Sequence, residues 1–234
     1  MNPLDHFDSI LTVDSPVELS QQFETDRQLT SLISPRTLII RAWPTHGVIL
    51  GKLDTVLPGF QVGLDYISQH RWPVLIRKAG GLGVVCDEGV LNLTFLLSKH
   101  HPIYGGLHAS YTLAVELIRW LLDPFGLQVD VKAIPQSYCP GDYDLSVNGQ
   151  KIAGIAQFRS KDAVMVMATL AISGDQRERC ALMRAFYDRA NLNHNLTYPT
   201  IDSSVMTTLS ALCGRVIAVD EVWESLTARL SSRE

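Results

Sequence analysis

Short runs of apolar and β-branched residues, separated by turn-forming residues, predict a series of β-strands along most of the chain. The pattern places strands at Thr37–Trp43, Val48–Leu50, Trp72–Arg77, Val84–Val85, Val90–Leu97, Gln128–Ala133, Tyr143–Val147, Lys151–Phe158 and Asp162–Ile172. Asn148-Gly149 favours the positive backbone angles of a tight turn. The two strands on either side of it are therefore predicted to form a hairpin.

Helical periodicity and capping signals predict several helices between and after these strands. Large apolar residues form one stripe between Leu107 and Leu122, which predicts a helix that ends before Pro124. Ser15-Pro16-Val17-Glu18 has the pattern of an N-cap, a proline at the first helical position and a capping box, so a helix is expected from there to about Leu32. Similar signals predict three further helices, at Ser173–Tyr187, Ser203–Leu212 and Asp220–Leu230.

Hairpins mixed with packed helices, without regular strand–helix–strand repeats, are typical of an α+β domain. We expect a mixed, largely antiparallel sheet flanked by helices. The length of 234 residues suits one domain spanning 1–234, with 175–234 as a possible small helical C-terminal portion.

Composition and charge narrow the class of protein. The formal net charge of −4 gives no electrostatic reason to expect nucleic acid or an anionic membrane as a partner. The longest apolar run, Val164–Ile172, is far too short to span a bilayer, and the first residues lack the features of a signal peptide. Four cysteines without a CxxC pair indicate reduced thiols and a cytoplasmic protein.

Cys139 is the cysteine best placed for chemistry, because it lies in a loop of turn-forming residues, Tyr138 to Asp142. Cys86, Cys180 and Cys213 adjoin apolar residues and are expected in the core. A cation lowers the pKa of a nearby thiol and raises its thiolate fraction, and Lys151 follows across the predicted hairpin. On pattern alone, however, Lys151 is better explained as a solvated hairpin lysine.

A second candidate segment runs from Arg77 through the pair Gly80-Gly81 to Asp87 and Asn92. Adjacent glycines after a strand allow close approach of backbone or ligand, and exposed peptide N–H groups there can hold an oxygen. Taken alone, such a pair is more often an ordinary turn. No metalloprotease, nucleophile-elbow or phosphate-loop motif is present, and His100, His101 and His108 lack an acidic or thiol partner at useful spacing for a metal.

These segments resemble two motifs of the lipoate–biotin protein ligase and octanoyltransferase superfamily. Its glycine motif is similar to Arg77…Gly80-Gly81…Val84-Val85…Asp87…Asn92, and its lysine motif is similar to Asn148-Gly149-Gln150-Lys151-Ile152-Ala153-Gly154. The run Tyr138-Cys139-Pro140-Gly141-Asp142-Tyr143-Asp144-Leu145 looks most like the cysteine-dependent branch of octanoyl-[GcvH]:protein N-octanoyltransferases. The resemblance covers roughly residues 30 to 175.

The resemblance implies a biotin/lipoate protein ligase-like catalytic domain in which Cys139 and Lys151 are catalytic. Arg77, Gly80, Gly81, Asp87, Asn92 and Gly154 would then contact substrate. The implied reaction moves an octanoyl or lipoyl group from a lysine of the glycine cleavage H protein to a lipoyl-domain lysine of 2-oxoacid dehydrogenases. It passes through a thioester and needs no cofactor and no metal.

Three other functions stay open at this point. An octanoyl-acyl carrier protein donor would use the same cysteine and lysine, so the catalytic residues do not separate it from the H protein. An ATP-dependent lipoate ligase would not need Cys139. A noncatalytic regulator would need a nucleic-acid-binding segment, and no basic patch or helix-turn-helix pattern is present.

Overall fold

The computed structural model describes residues 2–14, 18–192, 198 and 200–232, which contain ten β-strands and six α-helices. The strands are β1 (Ser9–Asp14), β2 (Thr37–Ala42), β3 (Gly47–Leu50), β4 (Val74–Ile76), β5 (Val84–Cys86), β6 (Val90–Ser98), β7 (Asp130–Val131), β8 (Leu145–Val147), β9 (Gln150–Arg159) and β10 (Ala163–Ala171). The helices are α1 (Gln22–Leu29), α2 (Phe60–Gln69), α3 (Leu107–Leu122), α4 (Gln176–Ala190), α5 (Leu209–Cys213) and α6 (Val219–Ser231).

The described strands form two sheets. The larger has seven strands in the order β1-β2-β6-β10-β9-β8-β7, and the smaller has three in the order β4-β3-β5. Among these strands the pairs β1–β2 and β3–β4 are parallel and the other neighbours are antiparallel. The expected α+β fold with a largely antiparallel sheet and flanking helices is confirmed.

The larger sheet has one apolar face and one mixed face, because side chains alternate across a strand. On the apolar face, strands β6 and β10 contribute side chains to the core that lies under α3 and α6. These side chains are Leu91, Leu93, Phe95, Val164 and Val166. The alternate positions of the same two strands carry Asn92, Thr94, Met167 and Thr169. The small sheet packs on this second, mixed side through a separate apolar cluster that includes α2 and α4.

Two elements, β1 and α2, were not predicted from the sequence. Strand β1 is an edge strand with mostly exposed side chains, so it lacks a clear hydrophobic signal. Helix α2 contains Gly63, which lowers its intrinsic helix propensity. The glycine is needed because a Cβ there would lie 2.7 Å from the Phe186 ring of α4. Packing against α4 therefore stabilises α2 despite its weak intrinsic helix propensity.

Several predicted boundaries shift in the structure. Residues 15–17 of the first capping box lie outside the described residues, and α1 begins only at Gln22. Helix α4 begins at Gln176 with Asp175 as its N-cap, not Ser173, because the Asp175 carboxylate accepts from the Arg177 amide at 2.8 Å. Of the predicted strand 128–133, only Asp130 and Val131 pair with β8.

The C-terminal helices pack onto the rest of the chain. Helix α4 packs against α2, and α6 packs against α3. Leu209, Val222 and Leu226 belong to the core of the larger sheet, whereas Met183 and Phe186 belong to the cluster of the small sheet. None of the helices in the described part of the chain is both long and apolar enough to cross a membrane.

A buried ion pair joins α1 to the mixed face of the larger sheet. The fully buried Arg41 donates through Nη1 to Asp26 Oδ1 at 2.7 Å and to the Gln22 carbonyl at 3.1 Å. Thr94 Oγ1 donates to the other Asp26 oxygen at 3.3 Å and accepts from Trp43 Nε1 at 2.9 Å. Helix α1 and the Trp43 indole are thereby fixed against the sheet.

We predict that Asp26→Ala lowers the free energy of unfolding by about 3–5 kcal/mol, because it leaves the Arg41 charge buried without its carboxylate. Glu24→Ala is the matched control, since it removes an exposed carboxylate from the same helix, where Glu24 pairs with Arg27. Urea unfolding should show a large loss for the first variant and a nearly unchanged midpoint for the second. Equal midpoints would contradict the assigned role of the buried pair.

Candidate active site

The buried carboxylate of Asp144 binds two backbone amides in and beside the loop that carries Cys139. Asp144 Oδ2 accepts from the backbone amides of Gly141 at 3.1 Å and Ile134 at 3.4 Å. Cys139 has a φ of +48°, which is uncommon for a residue with a side chain. Because the conformation is unfavourable on its own, contacts from outside the loop must stabilise it.

Lys151, in β9, supplies those contacts. Its Nζ lies 2.9 Å from Asp144 Oδ1 and donates to the carbonyl oxygens of Cys139 at 2.7 Å and Tyr138 at 3.2 Å, with Ser137 Oγ at 3.3 Å. The lysine is 3 % exposed, so it is not a solvated hairpin lysine. Burial raises the pKa of Asp144, although the Lys151 ammonium and the loop amides oppose that rise. The ammonium therefore ties the loop to the sheet.

The Cys139 sulfur meets the second candidate segment directly. The Leu82 amide donates to Sγ at 3.1 Å, and Arg77 Nη2 lies 3.7 Å from the same atom. Arg77 also donates to the carbonyl oxygens of Gly80 at 3.0 Å and Leu82 at 2.7 Å. A peptide N–H and a guanidinium thus converge on the sulfur, and both can donate a hydrogen bond to it. The cation beside the sulfur is Arg77, whereas Lys151 holds the backbone.

Gly81 permits this close approach. Its φ is +90°, and a Cβ at this position would lie 2.7 Å from Arg77 Nη2 and 3.0 Å from Cys139 Sγ. Gly80 has no such neighbour within 4 Å, and its role is to present the carbonyl oxygen that Arg77 binds. The two adjacent glycines therefore differ, and only Gly81 is constrained by the thiol.

Two apolar cavities adjoin on the mixed face of the sheet. The first encloses about 420 Å³ including its open mouth, and its lining includes Cys139, Arg77 and the side chains Phe23, Trp43, Ile49, Ile155 and Met167. The second, of about 330 Å³, is lined by Lys151 together with Tyr138, Ile152 and Met206. Both cavities share Val84, Gly154 and Thr169 in their walls. The thiol and the buried ammonium thus line two neighbouring, largely apolar cavities that have these walls in common.

Asp87 and Asn92 lie outside the linings of both cavities. Asp87 forms a bidentate pair with Arg179 at 2.5 and 2.7 Å and caps the Gly89 amide. Asn92 is buried, accepts from Thr169 Oγ1 at 2.9 Å and donates to the Trp43 carbonyl at 3.4 Å. Asn92 therefore supports two residues of the cavity walls, Thr169 and Trp43, whereas Asp87 supports Arg179. The substrate contact that the resemblance implies stays a prediction for both residues.

The remaining cysteines and the histidines have other surroundings. Cys86 and Cys180 are buried, as predicted, and burial raises the pKa of Cys86 to about 12 and that of Cys180 to about 11. Cys213 is half-buried, so it is less enclosed than predicted. His101 binds the His6 carbonyl at 2.9 Å, and His108 binds the Tyr143 hydroxyl at 2.7 Å. No group of three metal-ligating side chains is found within the described residues.

Several residues of the site were not found from the sequence. Asp144 lies in the cysteine segment and Leu82 in the glycine segment described above. Nothing in the sequence showed that Asp144 pairs with Lys151 or that the Leu82 amide donates to the sulfur. Met167 and Thr169 occupy alternate positions of β10, with Val166, Ala168 and Leu170 on the opposite face. This alternation was a sequence signal that the strand has a second face, which here lines the cavity. Phe23 and Trp43 reach the cavity from distant segments and leave no local signal.

Comparison with known proteins shows the family of the chain. Residues 18–231 match the model of the lipoyl protein ligase A/B catalytic domain family. A crystal structure of lipoate-protein ligase A bound with ATP has the same fold, with a TM-score of 0.71 and 18 % identity, covering 94 % of this chain and 82 % of that one. The chain therefore belongs to the lipoyl protein ligase A/B catalytic domain family of acyl-transferring enzymes.

Curated relatives narrow the branch of the family. The octanoyl-[GcvH]:protein N-octanoyltransferase of Macrococcus caseolyticus is 38 % identical, over 92 % of this chain and 81 % of the relative. The enzyme of the same description from Oceanobacillus iheyensis is 35 % identical, over 94 % and 80 %. Within its family the chain thus groups with the octanoyl-[GcvH]:protein N-octanoyltransferases.

We predict that Gly81→Ala changes the rate at which Cys139 is alkylated by iodoacetamide at least several-fold, because the new methyl group displaces Sγ or Arg77. Gly126→Ala is the matched control, since Gly126 has a φ of +68° and open space around it. Both variants should lose roughly 1–2 kcal/mol of stability from backbone strain. Peptide mass mapping should show altered Cys139 labelling only in the first, and identical labelling would contradict the contact.

Proposed function

We propose that this enzyme transfers an octanoyl group from a lysine of the glycine cleavage H protein to a lipoyl-domain lysine of 2-oxoacid dehydrogenases, with a thioester at Cys139 as intermediate. One observation carries the proposal. The Cys139 thiol, with an amide and a guanidinium directed at its sulfur, opens on an apolar cavity. The relatives are named as octanoyl-[GcvH]:protein N-octanoyltransferases, and this name supports the choice of donor.

In the first half-reaction the Cys139 sulfur attacks the carbonyl carbon of the octanoyl-lysine amide. The C–N bond breaks, the thiol proton goes to the leaving lysine nitrogen, and the octanoyl group remains as a thioester. In the second half-reaction the amine of the lipoyl-domain lysine attacks the thioester, and the thiol leaves with the proton. One amide replaces another, so the exchange is close to isoenergetic and needs no ATP, and the covalent intermediate divides it into two easier steps.

Arg77 and the Leu82 amide act on the sulfur in both half-reactions. They stabilise the thiolate as nucleophile in the first step and as leaving group in the second. Arg77 is only 6 % exposed, so water screens its charge little.

Lys151 fixes the position of the nucleophile and contributes its positive charge to the site. Its three N–H bonds serve four acceptors, of which the Ser137 hydroxyl at 3.3 Å and the Tyr138 carbonyl at 3.2 Å are the more distant. Exchanging one of these for the acyl oxygen lets the ammonium stabilise the tetrahedral intermediate while it keeps Cys139 and Asp144. Gly154, whose Cβ would lie 3.4 Å from Nζ, leaves the space for that oxygen.

The apolar lining accounts for recognition of a fatty chain. Burial of each methylene stabilises the complex by roughly 0.8 kcal/mol, so an eight-carbon chain can be held without polar contacts. Phe23, Trp43 and Met167 supply that surface next to the sulfur.

We further propose that residues 1–234 act as one catalytic domain. We also propose that the enzyme works in the cytoplasm, where free thiols such as Cys139 stay reduced.

We predict that the wild-type protein, mixed with octanoylated H protein, gains the mass of one octanoyl group in intact-mass spectrometry. Cys139→Ser and Cys139→Ala should gain none, because the nucleophile is absent. Cys213→Ala is the matched control, since Cys213 is also a half-buried free thiol and should be dispensable. Octanoyl-acyl carrier protein is offered separately. Loading from the carrier protein alone would reassign the donor, and octanoylation of the Cys139→Ala variant would contradict the mechanism.

Lys151→Met should lower turnover by at least roughly 10²-fold, since it removes the charge that stabilises the intermediate. It should also lower stability by about 3–5 kcal/mol, because Asp144 is left buried without its cation. The double variant Lys151→Met with Asp144→Asn separates the two effects. Thermal melting should recover part of the stability while turnover stays low, and a return of turnover with stability would make the role of Lys151 purely structural.

A further inference from the structure

The loop that presents the Leu82 amide is itself held by a second set of buried polar groups. The next amide, that of Gly83, donates to the Tyr187 hydroxyl oxygen at 2.9 Å. The Tyr187 hydroxyl donates in turn to Asp54 Oδ1 at 3.0 Å, and Asp54 Oδ2 accepts from the Gly51 amide at 2.7 Å. A continuous chain of hydrogen bonds therefore runs from Asp54 to the peptide adjoining the sulfur donor.

Asp54 and Tyr187 are placed where they act on this loop. The turn Asp54–Val56 follows the end of β3, where a Cβ on Gly51 would lie 2.0 Å from the Gly81 carbonyl oxygen. The segment that carries Asp54 is thus in direct contact with the glycine pair. Tyr187 reaches the same loop from α4, where it belongs to the small sheet's apolar cluster.

Burial makes this chain of bonds obligatory. Asp54 is 0 % exposed and Tyr187 is 5 % exposed, so neither can replace a lost partner with bulk water. Burial raises the pKa of Asp54 to about 6, opposed by the Gly51 amide, the Tyr187 hydroxyl and the charge of Arg77. Among the described residues, Tyr198 is also a titratable group that interacts with the charge of Asp54. Because this pKa lies below neutral pH, Asp54 is mostly ionised there and accepts the proton of the Tyr187 hydroxyl. The hydroxyl oxygen is then available to accept from the Gly83 amide.

We propose that Asp54 and Tyr187 are positioning residues for acyl transfer, which fix the peptide Leu82–Gly83 so that the Leu82 amide is directed at the Cys139 sulfur. The proposal rests on the proposed function, since it concerns the thiolate of that reaction. Neither residue lines the two cavities, and both act through the loop. Tyr187 accepts from one amide, and this bond sets the orientation in which the preceding amide faces Sγ at 3.1 Å.

Tyr187→Phe tests the proposal, because it removes the hydroxyl and leaves the ring. We expect alkylation of Cys139 at neutral pH to slow several-fold, with its pH profile shifted to higher pH. We also expect kcat for octanoyl transfer to fall roughly tenfold with KM little changed, less than the roughly 10²–10³-fold loss of a direct donor. A merely structural role would lower the melting temperature without moving the alkylation profile.

Tyr198→Phe is the matched control. Its ring lies 4.8 Å from that of Tyr187, and its hydroxyl donates at 3.1 Å to the Leu53 carbonyl, beside Asp54 but outside the chain of bonds to Gly83. Its alkylation profile should remain that of the wild type. Equal profiles for the Tyr187→Phe variant and the wild type would overturn the proposal.

Asp54→Asn provides an independent variant should Tyr187→Phe fail to fold. It keeps the size of the side chain but offers an amide N–H₂ where the Gly51 amide or the Tyr187 hydroxyl needs an acceptor. The same slower alkylation is expected, and an unchanged profile would overturn the proposal. Alkylation requires no acyl donor, so a wild type that is never octanoylated would reject the proposed function while the positioning test still gives a result.

Discussion

The site depends on one buried cation, Lys151, that holds the backbone of Cys139, the residue that we propose as nucleophile. Lys151 Nζ binds the Cys139 carbonyl and the Asp144 carboxylate, and Asp144 in turn holds the loop amides. A buried ammonium is tolerable only with a paired carboxylate and further hydrogen bonds, and this loop supplies both. The positive φ of Cys139 persists because of these contacts. These contacts therefore hold the backbone that positions the thiol, as the proposed acyl transfer requires.

Two separate parts of the fold then meet at the sulfur. The thiol loop belongs to the larger sheet, whereas Arg77 and Leu82 follow β4 of the small sheet. Between them the mixed face of the larger sheet supplies the apolar wall, including Met167. Neither sheet alone contains the complete arrangement. The buried Asp26–Arg41 pair stabilises one side of this junction, and the Tyr187–Asp54 pair stabilises the other.

The sequence predicted the parts of this arrangement that depend on local pattern. The hairpin at Asn148-Gly149 and the helix 107–122 follow from turn chemistry and periodicity, and the structure has both. Burial of Lys151 could not be predicted, because it depends on Asp144, whose carboxylate also serves the distant amide of Ile134. The supporting roles of Asp87 and Asn92 likewise depend on Arg179 and Thr169, far away in the chain. Local pattern does not specify such pairings.

In the mechanism that we propose, the octanoyl chain is attached to Cys139 and lies in the apolar cavity on the mixed face. The decisive experiment is a crystal structure of the enzyme loaded by octanoylated H protein, without an acceptor lipoyl domain. We expect electron density continuous with Sγ of Cys139, extending between Trp43 and Met167, with the acyl oxygen near Lys151 Nζ. An octanoyl chain attached to another residue, or lying on the surface away from this cavity, would contradict it.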